Sequence, residues 1–202
     1  MLSPAVRERL QRRASRLAWA TVTWNVAEAV VAIGAGAAAG SIALVGFGLD
    51  STVEVLSALV IIWQFRAADE HREQRALRLI AASFFALAAY VTVQAVIDLA
   101  HSDRPHHSPV GVGLAVASLI VMPILSAAKK RNGRRLGSAT VIADANQTKL
   151  CSYLSAVLLV GLLVNAVFEW WWADPIAGLL IAGLAVREGR EAWRGEVCDD
   201  CC

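Results

Sequence analysis

Six long apolar segments, separated by short polar stretches, dominate the chain. A helical membrane span needs about 20 mostly apolar residues, and the segments of this kind are Leu17–Ala38, Ser41–Phe65, Ala76–Ala100, Pro109–Ala127, Ala139–Phe168 and Ala173–Trp193. In lipid, a spanning segment must satisfy its own backbone hydrogen bonds, which favours helices. The pattern therefore predicts an all-α integral membrane protein built as a bundle of six transmembrane helices. Arg187 and Glu188 interrupt the last segment, so we expect its membrane part to end near Val186.

The composition agrees with this prediction. Of the 202 residues, 57% are apolar and 18% are charged, whereas a soluble domain has about 45–50% apolar residues. The net charge of +2 is too small to indicate a nucleic-acid partner. No nucleophile–base pair or phosphate-binding glycine loop predicts an enzyme. The first apolar run is too long for the core of a signal peptide, so no cleaved signal is expected.

Lys and Arg are concentrated on one side of the predicted spans. All but two of the 19 lie beside the ends that would then be cytoplasmic, and the exceptions are Arg104 and Lys149. The positive-inside rule therefore places both termini in the cytoplasm, and we interpret the basic stretches as topology determinants that contact lipid headgroups. We predict a basic cytoplasmic N-terminal segment (1–16), a transmembrane domain (17–193) and a short Cys-rich cytoplasmic tail (194–202). A plasma membrane of bacterial type is the expected location.

Polar side chains inside the predicted spans are the candidate functional groups, because ionisable residues at membrane depth are costly and usually line an interior or an ion path. Asp50 and Glu54 in span two are four residues apart and share a helix face, as do Gln147 and Cys151 in span five. Counting about 1.5 Å per residue from the cytoplasmic ends puts Glu54 level with Gln147, and Asp50 with Cys151. Two carboxylates, a carboxamide and a thiolate can bind a divalent ion, and sulfur favours Zn²⁺, Cd²⁺ or Co²⁺ over Mg²⁺.

Three further ionisable residues lie at membrane depth, namely Glu28, Asp144 and Lys149. We interpret them as proton carriers or accessory groups, with Lys149 either pairing with Glu28 or Asp144 or reaching out of the membrane. Two other interpretations remain open. The buried acids can simply pair with Lys149 while Gln147 and Cys151 join helices, or the acids can transfer protons without a metal. The small-residue run AIGAGAAAG predicts close packing of spans one and two.

Two clusters outside the predicted spans carry metal-binding residue types. The first is in the tail EVCDDCC and consists of Cys198, Cys201 and Cys202. Closely spaced thiolates bind Zn²⁺ tightly, and the alternative is a disordered, reduced tail. The second is in and beside the outer loop HSDRPHHSP and consists of His101, Asp103, His106 and His107. This loop either scavenges metal or is simply solvated.

These motifs resemble the transmembrane domain of the cation diffusion facilitators, six-span exporters of Zn²⁺ and related divalent cations. The resemblance covers residues 15–195. The stretch GSIALVGFGLDSTVEVLSA is similar to their second span, where an acid-x-x-x-acid pair supplies half of the transport site. The stretch ADANQTKLCSYLSAVLLVGLLVNAVFEWWWADPIAGLLIAGLAVREGREA is similar to their fifth and sixth spans. The family's fifth-span pattern is His-x-x-x-Asp, so Gln147 stands in the histidine position and Cys151 in the aspartate position.

The resemblance implies export of a divalent cation, with Zn²⁺, Co²⁺ or Cd²⁺ expected, in exchange for protons and with no resident prosthetic group. It implies a transport site formed by Asp50, Glu54, Gln147 and Cys151, and as partners the lipid bilayer, the transported ion, protons and a second copy of the chain in a homodimer. Because the histidine is replaced, Fe²⁺, Mn²⁺ and Ni²⁺ are alternative substrates. A non-transporting membrane scaffold or metal sensor is the alternative function. It is favoured by the altered fifth-span pattern and by the short tail, which stands where family members usually carry a cytoplasmic domain.

Overall fold

The computed structural model describes residues 4–64, 70–101, 105–137 and 139–194, and over these residues it contains helices and no strand. The helices are α1 (Pro4–Ala39), α2 (Ile42–Gln64), α3 (Glu70–His101), α4 (Pro109–Leu136), α5 (Ala139–Phe168) and α6 (Ala173–Arg194). Each contains or matches one predicted span, which confirms the predicted six-helix fold. Within the described part of the chain, four of them (α1, α3, α4 and α5) are long and apolar enough to cross a membrane by length and composition.

Two helices continue well beyond the predicted spans. The described part of the basic N-terminal segment is the start of α1, and α4 runs on to Leu136 and ends at Gly137, whose φ of 66° is left-handed. The basic residues predicted to lie between spans four and five, Lys129 to Arg135, are therefore helical, which corrects their assignment to a connection. Lys and Arg are good helix formers, and the helix ends where a glycine can adopt the left-handed conformation. Asn132 joins the two extensions by donating a 3.0 Å hydrogen bond from Nδ2 to the carbonyl oxygen of Leu10.

Glycines allow α1 and α2 to pack closely. A Cβ atom on Gly48 would lie 2.7 Å from Cγ1 of Ile33, and one on Gly36 would lie 2.8 Å from the backbone nitrogen of Val45. Real Cβ atoms do not come this near to other heavy atoms, so only glycine fits at these two positions. The predicted close packing of the first two helices is confirmed.

The start of α2 is attached to the start of α6 by a buried carboxylate. Asp174 accepts a 2.5 Å hydrogen bond from Oγ of Ser41 and a 3.3 Å hydrogen bond from the backbone nitrogen of Ala43. It thereby satisfies a donor at the N-terminus of α2 that has no partner within the helix. This contact fixes the relative height of α2 and α6.

The helices form a ring of four and an outer pair. Helix α1 contacts α2 and α4, α4 contacts α5, and α5 contacts α2, while α3 and α6 pack on each other and on α2. The centre of the ring is filled by Leu44, Phe47, Met122 and Leu158, all fully buried. Large apolar residues are exposed on the outer surface, as expected for a lipid-facing surface. Helix α2 belongs to the ring and also contacts both helices of the outer pair, and α5 contacts α6 as well. Polar residues of α2 can therefore meet groups from α5 and from α6.

Candidate metal centre

The four residues predicted to bind metal border one small cavity between α2, α5 and α6. Its volume is about 20 Å³, and its lining includes Asp50, Glu54, Gln147 and Cys151. A cavity of this size has room for about one water molecule. Phe84, Leu150, Leu154 and Leu184 supply apolar walls. The i,i+4 spacing on two helices therefore brings the predicted residues to one place, where a single ion without most of its water would fit.

The two carboxylates from α2 are almost fully buried, with Asp50 7% and Glu54 6% exposed. Asn25 of α1 donates a 2.8 Å hydrogen bond from Nδ2 to Oε2 of Glu54. The other carboxylate oxygen, Oε1, is buried and has no hydrogen-bond partner among the described residues. A buried carboxylate oxygen without a partner is energetically costly. Glu54 is thus held by one oxygen and has the other available for a cation.

The thiol of Cys151 is 1% exposed and lies beside the carboxylate of Glu54. Cys151 also interacts electrostatically with Asp50. The depth count that puts Cys151 level with Asp50, and Gln147 level with Glu54, stays a prediction.

The cavity residues do not yet form a complete coordination shell. In the described part of the chain, no three His, Cys, Asp or Glu side chains stand close enough together to hold an ion as they are. Asp50 interacts electrostatically with Glu54, Glu188 and Glu28, and like charges of this kind repel one another. A divalent cation would offset that repulsion.

Glu28 lies beside this cavity rather than in its lining. It is 1% exposed, and its Oε2 accepts a 3.1 Å hydrogen bond from Oγ of Ser51. Its Oε1 accepts a hydrogen bond from Oγ of Ser118. Glu28 therefore joins α1, α2 and α4, and the two hydroxyl groups hold its carboxylate next to the site.

Asp144 has a basic partner that the sequence did not predict. Lys129 of α4 is 1% exposed, and its Nζ lies 2.9 Å from Oδ2 of Asp144 and donates a 3.0 Å hydrogen bond to Oγ1 of Thr148. Lys129 was interpreted as a topology determinant, and this is corrected because it is a buried ion-pair partner.

Lys149 points away from the bundle interior. It is exposed, and its Nζ lies 5.7 Å from the ring centroid of Tyr153. Of the two alternatives for Lys149, pairing with Glu28 or Asp144 is therefore wrong, and an outward-reaching side chain agrees with its exposure. Lys149 follows Asp144 by five residues, which on an α-helix is a rotation of about 140°. The two side chains therefore point to different faces of α5.

The remaining predicted clusters do not gain support from the structure. His101, His106 and His107 are exposed, and they form no metal-binding group with the other described residues. Asp103 and the tail cysteines Cys198, Cys201 and Cys202 lie outside the described residues. A site in the tail stays a prediction.

One cavity residue was overlooked in the sequence. Glu188 of α6 lines the same cavity, although the sequence suggested only that it ends a membrane span. A usable signal was present, because the buried positions Gly178, Ile181 and Ala185 repeat at helical spacing and the series continues at Glu188. An acidic residue that continues a buried stripe is expected to face the bundle interior.

Comparison with known proteins gives a family match over most of the chain. The family described as "Cation efflux transmembrane domain" matches residues 18–194. The chain is 22% identical to Transmembrane protein 163 of Xenopus laevis over 193 residues, covering 93% of this chain and 69% of that protein.

Two relatives are named as uncharacterized transporters. One, from Synechocystis sp., is 30% identical over 159 residues, covering 73% of this chain and 51% of the relative. The other, from Methanocaldococcus jannaschii, is 24% identical over 173 residues, covering 80% of this chain and 61% of the relative. The chain thus spans about half to two thirds of the length of these relatives. Together with the apolar helices, these matches identify an integral, multi-pass membrane protein.

Proposed function

Because the chain belongs to the cation efflux family, we propose that it moves divalent metal cations out of the cytoplasm through the cavity between α2, α5 and α6. The observation that carries this proposal is the buried Oε1 of Glu54, which has no hydrogen-bond partner among the described residues and belongs to a residue lining the cavity. A second carboxylate and a thiol line the same cavity. Such a group of acids is best explained by a cation that occupies the cavity during part of the cycle. The relatives named as transporters add support for transport in general.

The donor atoms indicate which ions would fit. Asp50 and Glu54 supply negative charge that offsets the loss of hydration water, and a Cys151 thiolate favours Zn²⁺, Co²⁺ or Cd²⁺. Gln147 supplies only a carboxamide, which is a weaker ligand than an imidazole. We therefore expect these three ions to be transported, with Fe²⁺, Mn²⁺ and Ni²⁺ as the alternatives.

Exchange for protons follows from the chemistry of the same ligands. Carboxylates and a thiol bind metal only when they are deprotonated, so protons and metal compete for the site. Protons entering from outside would release the ion during the outward-facing part of an alternating-access cycle. Glu28 is the proposed proton acceptor. Its carboxylate is held next to the site by hydrogen bonds from the hydroxyl groups of Ser51 and Ser118.

Metal flux in proteoliposomes tests the proposal. The purified chain would be reconstituted, and entry of Zn²⁺, Co²⁺, Cd²⁺, Mn²⁺ or Fe²⁺ followed with a trapped indicator under an opposing proton gradient. We expect flux in the parent and none in Asp50→Asn. Asp98→Asn is the control, because Asp98 is also a buried acid but bonds Gln94 on α3, away from the cavity. Equal flux in the parent and in Asp50→Asn would rule out transport through this site.

A scaffold or metal sensor on the same fold is the second candidate. It is favoured by the fifth-span residues, because Gln147 and Cys151 differ from the family's His-x-x-x-Asp pattern. This alternative predicts metal binding that depends on Asp50 but no flux under any gradient. A homodimer is expected whether the protein is a transporter or a sensor. Light scattering of the detergent-solubilised protein would test this oligomeric state.

A further inference from the structure

We propose that Glu188 of α6 is a third carboxylate of the transport site and the first to bind a divalent ion that arrives from the cytoplasm. This inference rests on the proposed transport function. It adds a ligand from a third helix to a site otherwise built from α2 and α5.

Contacts within the cavity support this role. Glu188 lines the cavity together with Asp50 and Glu54, and it interacts electrostatically with Asp50. Its Oε1 is buried and has no hydrogen-bond partner among the described residues. The same is true of Oε1 of Glu54, whose side chain is more than nine-tenths buried. Two carboxylates on different helices therefore each leave a buried oxygen unbonded at one cavity.

Helix geometry places Glu188 on the cytoplasmic side of Asp50. The contact between Ser41 and Asp174 sets a common height for α2 and α6 near their outer ends. At about 1.5 Å per residue, Asp50 lies roughly 14 Å inward of this contact and Glu188 roughly 21 Å inward. An ion that enters from the cytoplasm would therefore reach Glu188 before Asp50.

Two charged neighbours on α6 act on Glu188. Arg187 attracts its carboxylate and Glu191 repels it, while Nε of Arg187 lies 2.9 Å from Oε1 of Glu191. Among the other proposed ligands, Gln147 is expected to bind a divalent ion weakly, because its carboxamide is neutral. A third carboxylate adds negative charge and an oxygen ligand, which compensates for the absent imidazole.

Cobalt binding tests this proposal independently of transport. The full chain would carry Cys198→Ser, Cys201→Ser and Cys202→Ser, so that the thiolate-to-Co²⁺ absorption band reports Cys151 alone. Titration of the detergent-solubilised protein with Co²⁺ gives the affinity. We expect Glu188→Gln to weaken binding by about tenfold or more, with the thiolate band retained at saturation. Glu188→Asp, which keeps the carboxylate, should recover part of the affinity.

Asp98→Asn is the control, because Asp98 is a buried carboxylate that bonds Gln94 on α3 and is absent from the cavity lining. Its Co²⁺ affinity should equal that of the parent. If Glu188→Gln binds Co²⁺ like the parent while Asp50→Asn does not bind, Glu188 is not a ligand and the proposed function stands. If the parent itself binds no Co²⁺ or Zn²⁺, both the role of Glu188 and the transport function fall.

Discussion

Asn25 of α1 donates a 2.8 Å hydrogen bond to Oε2 of Glu54 on α2, deep inside the bundle. The bond uses one carboxylate oxygen and leaves Oε1 without a hydrogen-bond partner among the described residues. Asn25 is fully buried, so its amide is held in place by packing. The carboxylate of Glu54 is thus oriented before any ion arrives, and such preorganisation usually increases affinity.

Asn25→Ala should weaken Co²⁺ binding about tenfold, the typical loss when a group that orients a metal ligand is removed. The fold should be retained, because the substitution removes a side chain without adding bulk. Isothermal titration of the detergent-solubilised protein measures the affinity. Asn165→Ala is the control, since Asn165 is also buried but bonds the carbonyl oxygen of Pro105 at the far end of α5. Equal losses in the two variants would contradict a positioning role for Asn25.

Lys129→Met should destabilise the protein by about 3–5 kcal/mol, because it leaves the Asp144 carboxylate buried without its partner. Thermal unfolding in detergent measures this loss. The double variant Lys129→Met with Asp144→Leu should recover part of the stability, since both charges of the buried pair are then removed.

Lys130→Met is the control for the buried pair, because its side chain is only partly buried and donates a long, 3.4 Å hydrogen bond to the neutral side chain of Asn146. We expect its unfolding temperature to be close to that of the parent. A Lys129→Met protein as stable as Lys130→Met would show that the buried pair contributes nothing to stability.

Gly48→Ala should destabilise the bundle by about 1–3 kcal/mol through overpacking. The new Cβ would meet Cγ1 of Ile33 at 2.7 Å and the backbone nitrogen of Ile33 at 3.0 Å, and a backbone atom cannot rotate away. Gly34→Ala is the matched control, because nothing lies within 4 Å of its added Cβ. The readout is the difference in unfolding temperature between the two variants, and identical temperatures would contradict the described contact of α1 and α2.

Gln147→His should shift the metal preference toward Zn²⁺. An imidazole is a stronger ligand for Zn²⁺ than a carboxamide, while Mn²⁺ prefers oxygen. A gain of about 1.4 kcal/mol would appear as a tenfold increase in Zn²⁺ affinity relative to Mn²⁺. Competition titrations measure this ratio. Asn146→His places the same ring one residue away on another face of α5 and should leave the ratio unchanged; a shift of the same size there would argue against Gln147 as a ligand.

The apolar pattern alone determined the six helices, because a membrane-spanning segment must be long, apolar and helical. It did not determine the start of α1 or the end of α4, which continue as polar helix beyond the spans. Spacing alone put Asp50 with Glu54, and Gln147 with Cys151, on single helix faces, since side-chain direction follows from the helical repeat. The glycine-rich run likewise predicted the close approach of α1 and α2. These features depend on short-range geometry, which the sequence contains.

The tertiary structure decided which faces meet. It placed Cys151 beside Glu54, paired Asp144 with Lys129 instead of Lys149, and brought Glu188 into the cavity. Each of these contacts joins residues from different helices, so it depends on helix register and rotation. Register and rotation are set by many packing contacts together, including the hydrogen bond between Ser41 and Asp174 and the glycine contacts of α1 with α2. The local sequence pattern of one helix cannot predict the combined effect of these contacts.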